Sequence, residues 1–216
     1  MSKPTVWASS VMVSIYGKMF FRNALDFDEG PVDPRLQGSG RRNEAGEVLS
    51  AESFPPEIWG VRGRKDYESL PDIFMGYGPW IVSRAAADVI QQFDIGQGQF
   101  FPIRVLKKDR KTPIPGEWLC INFGNVKTAY LGGGRDPTPY IEAPTIRHAM
   151  PYPVQDNMLM VSADALEGPD IWVDPQIRDT FFVSGRLAKG LKDAGVARAF
   201  GFKRCKIVDS ATGTAT

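Results

Sequence analysis

The chain has 216 residues, of which 43% are hydrophobic and 24% charged, with 26 Lys and Arg against 25 Asp and Glu and a formal net charge of +1. That is the make-up of a soluble globular protein, long enough to bury about 70% of the surface its unfolded chain exposes. Near-neutrality argues against a general nucleic-acid or membrane-surface binder, which carries a basic excess, and no apolar run reaches the length of a membrane span.

Residues 5–22 are rich in Val, Trp, Ile, Tyr and Phe and read as one or two strands broken near Gly17. Ahead of them, Lys3-Pro4 and a mixed stretch carry no signal-peptide pattern, so a cytoplasmic location is expected. Between Asp26 and Lys65, Pro31, Pro34, Gly38, Gly40, Gly46, Pro55, Pro56 and Gly60 interrupt any apolar period, which predicts a long irregular connection, mobile around Gly38 to Glu47. Residues 1–67 are therefore expected to supply strands and a loop packed against an α+β part, 68–210. Residues 211–216 read as a disordered tail.

Val82-Ser83 opens a run ending at Phe101, and Val183-Ser184 opens a second run ending at Phe202, displaced by the same interval. Both runs read as strand, helix, strand. Each serine stands where an N-cap belongs, its hydroxyl able to accept an orphan backbone N–H. The apolar positions Ala86, Ile90 and Phe93, and Leu187, Leu191 and Ala194, then fall along one helix face. Asp94-Ile95-Gly96 and Ala194-Gly195-Val196 supply helix stops, and strands follow over 100–106 and 203–208. A pair of nucleophilic serines is the alternative, but neither has a plausible base among its neighbours.

After the first phrase, Lys107 to Pro113 reads as a basic turn between the 100–106 strand and a 118–123 strand, paired antiparallel. Gly132-Gly133-Gly134 has neither a following Lys-Ser or Lys-Thr nor G-x-G-x-x-G spacing, and reads as a flexible turn. Met158 to Val161 is predicted as a strand preceding Trp172-Val173. With few, short helices, the expected class is α+β: a mainly antiparallel sheet and two similar strand-helix-strand units. An unpaired edge strand after each repeated helix would also make a homodimer easy.

Charge is uneven along the chain. From Arg186 to Lys206 seven Lys and Arg face a lone Asp193, whereas Asp156, Asp164, Glu167, Asp170, Asp174 and Asp179 are opposed mainly by Arg178. Two solvated faces that partly neutralise each other are one reading, and a bipolar binding surface is the other.

Catalytic chemistry is sparse. His148 is the only histidine and sits in no motif, so it reads as a loop or partly buried edge residue. Cys120 and Cys205 each lie in a probable strand and suit buried reduced thiols, although a bridge between them stays open. One His with two scattered Cys has no zinc spacing, and Asp164-x-x-Glu167-x-x-Asp170 lacks the calcium-loop pattern. No metal, cofactor or catalytic residue is expected. The five tryptophans are too evenly spread for a base-stacking platform.

Leu70-Pro71-Asp72-Ile73, Gly76-Tyr77-Gly78-Pro79-Trp80-Ile81-Val82-Ser83, Phe101-Pro102-Ile103-Arg104-Val105, and Phe182-Val183-Ser184 through Phe202-Lys203-Arg204-Cys205 together resemble the Imm11 family of immunity proteins. The likeness spans roughly residues 68–208. It implies a non-enzymatic cytoplasmic inhibitor, encoded beside a polymorphic bacterial toxin, that binds and neutralises that toxin; it carries over no functional residues. If the toxin has a basic substrate groove, Asp156, Asp164, Glu167, Asp170 and Asp174 form the matching contact set; if it is acidic, the Arg186 to Lys206 segment serves instead. Two other readings stand beside this one: an enzyme with an Asp/Glu-based pocket between the repeated units, and an adaptor protein of a secretion system or prophage.

Overall fold

The computed structural model describes residues 3–14, 17–23, 34–133, 139–142 and 145–208. The tail at 211–216, the start of the long connection and Gly134 lie outside the described residues, and Gly132 and Gly133, expected in a flexible turn, are instead in a strand over Tyr130–Gly133, opposite Met160 and Leu159. In chain order come β1 (Val6–Ser9), β2 (Lys18–Met19), β3 (Phe21–Arg22), α1 (Ser39–Glu44), β4 (Glu57–Gly60), β5 (Ile73–Gly76) and β6 (Trp80–Ser83). Next are α2 (Arg84–Ile90), β7 (Gln99–Leu106), β8 (Trp118–Asn122), β9 (Tyr130–Gly133), β10 (Pro139–Glu142), β11 (Thr145–Ala149) and β12 (Leu159–Ser162). The chain closes with β13 (Ile171–Trp172), β14 (Ile177–Arg178), β15 (Phe182–Ser184), α3 (Gly185–Asp193), β16 (Phe202–Arg204) and β17 (Lys206–Val208).

The result is a mixed α/β protein, mostly sheet. A seven-stranded sheet runs β2-β5-β6-β8-β7-β4-β3, a four-stranded sheet β13-β15-β1-β16, and two three-stranded sheets β17-β12-β9 and β10-β11-β14. Three of these sheets are mixed in direction, since β2 with β5, β4 with β7, β11 with β14 and β12 with β17 run parallel beside antiparallel ladders, while the four-stranded sheet is antiparallel throughout. β8 lies between β6 and β7 and is buried along its whole length, which is why its sequence, WLCIN, is an unbroken run with little alternation. The predicted antiparallel pairing of this strand with the one before the basic turn is present, from Gln99 opposite Asn122 to Ile103 opposite Trp118.

Around α2, the flanking strands β6 and β7 both pair antiparallel with β8, which lies between them. Around α3, β15 and β16 both pair antiparallel with β1. The strand inserted in the first case follows in sequence; in the second it comes from the N-terminus. The strand after α2 is not an edge, contrary to the sequence expectation, whereas β16 after α3 does end its sheet, with its backbone at Arg204 tied to a loop. β7 is held between β8 and β4, and at β16 Arg204 N donates to Asp156 Oδ1 at 2.8 Å while its carbonyl accepts from Asn157 N at 2.6 Å.

Both serines are N-caps. Ser83 Oγ accepts from Ala86 N and Ser184 Oγ from Leu187 N, each at 3.2 Å. Each hydroxyl also donates to an aspartate at the start of the preceding hairpin, Ser83 to Asp72 at 2.7 Å and Ser184 to Asp170. Gly195 (φ +77°) takes the left-handed conformation directly after the C-cap of α3, as expected of a stop, whereas α2 already ends at Ile90, so Gly96 (φ +53°) lies in the turn beyond it and is not its stop. Ala86, Ile90, Leu187 and Leu191 are buried in one shared cluster, with Phe93 packed against it. Ala194, expected on the buried stripe, is instead exposed at the C-cap, because α3 ends at Asp193 and Val196 turns in to fill the place. Ser83→Ala is expected to lower the unfolding free energy by about 1 kcal/mol in urea denaturation; an unchanged midpoint would show that the cap contributes nothing.

The stretch around Gly38 to Glu47, expected to be mobile, holds α1. Asn43 on that helix is fully buried: its Nδ2 donates to Ile121 O at 2.8 Å, and its Oδ1 accepts from Asn122 Nδ2 and Phe123 N, both at 2.9 Å. Asn122 completes the tie through Leu49 N and Glu47 O. The helix is thus pinned to the end of β8 by polar bonds, which hydrophobic periodicity does not register. The two cysteines are free thiols in separate core clusters, so the open possibility of a bridge is not realised. Burial pushes the Cys205 thiol up to about 12 and that of Cys120 higher still, leaving both protonated at neutral pH.

Candidate functional site

Once Ser184 starts α3, residues Gly185, Ala188, Lys189 and Lys192 fall at i, i+3, i+4 and i+7, one face of the helix. That face lines a recess of about 1390 Å³, while Leu187 and Leu191 point into the core. The other sides of the recess come from Lys3–Trp7, from Phe202 and Lys203, and from the turn at Ala165–Gly168. Close approach at its end depends on glycine. Gly185 N donates to Thr5 O at 2.7 Å, and a Cβ on Gly185 would lie 2.1 Å from Thr5 Oγ1.

The groove is charged and biased toward cations. Lys3, Arg186, Lys189, Lys192, Arg198 and Lys203 line it, against the carboxylates of Asp94, Glu167 and Asp170. Asp170 is 1% exposed and accepts from Arg186 Nε at 2.6 Å, from Asp94 N at 3.0 Å and from Ser184 Oγ. Its hydrogen bond and charge raise the Arg186 pKa above the ordinary guanidinium value. Lys189 pairs with Asp193 along the helix. Lys192, Arg198 and Lys203 make no ion pair among the described residues. Behind the turn, Lys127 stands over the Trp172 ring at 3.7 Å and donates to Ala165 O at 3.4 Å; desolvation holds its pKa down to about 8.

The five acids proposed as a contact set do different jobs. Asp170 and Asp174 are each 1% exposed and belong to the scaffold. Asp174 Oδ2 accepts from Ala129 N and Tyr130 N, both at 2.7 Å, and its Oδ1 from Gln176 N at 2.9 Å. Asp156, Asp164 and Glu167 are exposed. Of these, Asp156 holds Arg204 N, Asp164 accepts from Ser162 Oγ at 2.9 Å, and Glu167 lines the groove. The physical reason is that a carboxylate near a turn meets free backbone N–H groups, which draw it inward.

The structure thus brings the basic segment 186–203 against Glu167 and Asp170 from the acidic stretch, and adds Lys3 to Trp7 and Asp94, which sequence reasoning did not connect with either. One signal was present: Pro-Asp-Ile occurs at 71–73 and again at 169–171, each upstream of a capping serine. It marks Asp72 and Asp170 as cap partners. His148 lies apart on β11, partly buried, its ring 5.8 Å from Tyr130. Among the described residues no group of three or more His, Cys, Asp or Glu is placed to hold a metal ion, and none of their helices is long and apolar enough to cross a membrane.

Fold and groove define a mixed α/β protein with a broad charged recess between a helix face and the N-terminal strand. Residues 37–207 match the model of the immunity protein family Imm11, and the chain belongs to that family. The match begins just before α1, not at residue 68 where the sequence resemblance started, consistent with the buried tie of Asn43 to β8. No curated protein matches the chain significantly.

Proposed function

We propose that this protein is a non-enzymatic immunity protein that binds a cognate bacterial toxin in the cytoplasm of the producing cell and neutralises it by occlusion. Membership of the immunity protein family is the observation that carries this reading. The wide, open, charged groove fits it, since charge placed on a broad surface speeds and orients protein association. The two strand-helix-strand segments, each closed by a Ser-to-Asp bond, are read as two similar packing units that hold this surface in shape.

An Asp/Glu-based enzyme pocket is disfavoured by what the groove's polar atoms already do. Ser184 Oγ both accepts a helix N–H and donates to Asp170, and the Asp170 carboxylate is shared among three donors. Asp164 and Glu167 remain as exposed contact candidates, whereas Asp170 and Asp174 would act only by supporting the surface.

Co-expression with the adjacent open reading frame tests the reading. The neighbouring product alone should be lethal, and this protein should restore growth and co-purify with it. A harmless neighbour, or one that stays lethal in the presence of this protein, rules the reading out and favours an adaptor role.

A further inference from the structure

We infer that the groove along α3 receives an extended, acidic segment of the protein partner, with apolar side chains among its carboxylates. The inference rests on the immunity reading for the partner's identity, but on the groove alone for the partner's chemistry. At about 1390 Å³ the recess exceeds the roughly 300–1,000 Å³ of ordinary small-molecule sites, and it runs past two chain segments and a helix face. Its size suits a stretch of polypeptide.

Charge selects the class of segment. Of the six groove cations, Arg186 is committed to Asp170 and Lys189 to Asp193. Lys3, Lys192, Arg198 and Lys203 remain without an ion pair among the described residues, the last three within or following α3, and Lys3, Lys192 and Arg198 are exposed. Because the last three cations, beside one helix face, make no ion pair, a partner's carboxylates gain attraction without having to break an existing one. Between the charges lie Pro4, Trp7, Leu166 and Phe202, which give an incoming chain apolar contact.

A nucleic acid fits the same groove poorly. Glu167 and Asp94 stand on its walls and would face a continuous row of phosphates, and the whole chain carries only +1. Trp7 and Phe202 do not make the run of aromatics interleaved with Lys and Arg that stacks successive bases. A segment with spaced carboxylates can place them beside Lys192, Arg198 and Lys203 and keep apolar residues opposite Glu167.

The test uses the full chain, an inactive variant of the toxin domain from the adjacent gene, and a fluorescein-labelled decapeptide alternating Glu and Leu. Binding is compared for wild type, for the reversal Lys192→Glu with Arg198→Glu and Lys203→Glu, and for a control of equal charge change, Arg62→Glu with Lys65→Glu and Lys111→Glu. The neutral triple Lys192→Gln, Arg198→Gln, Lys203→Gln guards against misfolding, and each variant is checked by urea denaturation. The groove reversal should weaken peptide and toxin binding about 100-fold or more, the neutral triple about 10-fold, and the control less than about threefold, with peptide affinity falling as salt rises. Toxin binding that survives the groove reversal overturns the inference and leaves the immunity reading intact. A dA10 oligonucleotide that displaces the peptide at lower concentration than unlabelled peptide also overturns it. Groove-dependent peptide binding by a wild type that neither binds the toxin nor protects against it upholds the groove chemistry and rules out the immunity reading.

Discussion

Asp170→Ala is expected to lower the unfolding free energy by about 3 kcal/mol, and Asp72→Ala by about 1 kcal/mol, although the two aspartates occupy matching places before the capping serines. Both accept from a serine hydroxyl and from that serine's backbone N–H through their own carbonyl. Asp72 is partly exposed and its carboxylate bond to Ser83 is one that water can replace. Asp170 is 1% exposed and its carboxylate also holds Arg186 Nε and Asp94 N, the second of these from the segment after α2. Truncation there strands the Asp94 N–H, frees the Ser184 hydroxyl and removes the negative charge that offsets the desolvation of Lys127. Urea denaturation followed by circular dichroism reads the difference directly. Equal losses at the two positions would mean that the bond between the segments contributes nothing, and that Asp170 is only a cap partner.

Asn43→Ala should cost about 3 kcal/mol for the removal of one small side chain from a six-residue helix. Its amide serves three partners at once, and after truncation Ile121 O, Phe123 N and one Asn122 Nδ2 proton are left in a site that water does not reach. Each unsatisfied buried group costs about 1–3 kcal/mol, and partial relaxation keeps the total near the lower end of their sum. Because the bonds join α1 to the end of β8, the loss should also be local: limited proteolysis should cut within residues 34–50 far faster than in wild type. Stability within about 0.5 kcal/mol of wild type, with no new cleavage, would show that the tie is dispensable.

These residues also show where sequence reading succeeds and where it stops. Ser83 and Ser184 were legible as caps because a cap is a bond between residues three apart. The strands at 99–106, 118–122 and 159–162 were legible because runs of apolar residues bounded by turns have few other uses. Asn43 was hidden because its partners lie at 121–123, and a polar residue amid Arg and Glu has the same pattern whether it faces solvent or core. The acidic stretch was legible as charge but not as surface. Asp170 and Asp174 were drawn inward by backbone N–H groups at 94, 129 and 130, which no local spacing connects with them.

By itself, the sequence determined the class of elements, the capped helices, the place of Cys120 in a buried strand and the family resemblance, all of which rest on short-range patterns; Cys205, expected inside a strand over 203–208, instead stands between β16 and β17, which pair in different sheets. Only the tertiary structure decided which charges meet. β1, from the N-terminus, enters between β15 and β16 and carries Lys3 to Trp7 against α3, so the groove is assembled from both ends of the chain. Hydrophobic pattern specifies that a strand is buried, but strand order follows from pairing and packing over long separations, and the groove exists only once that order is set.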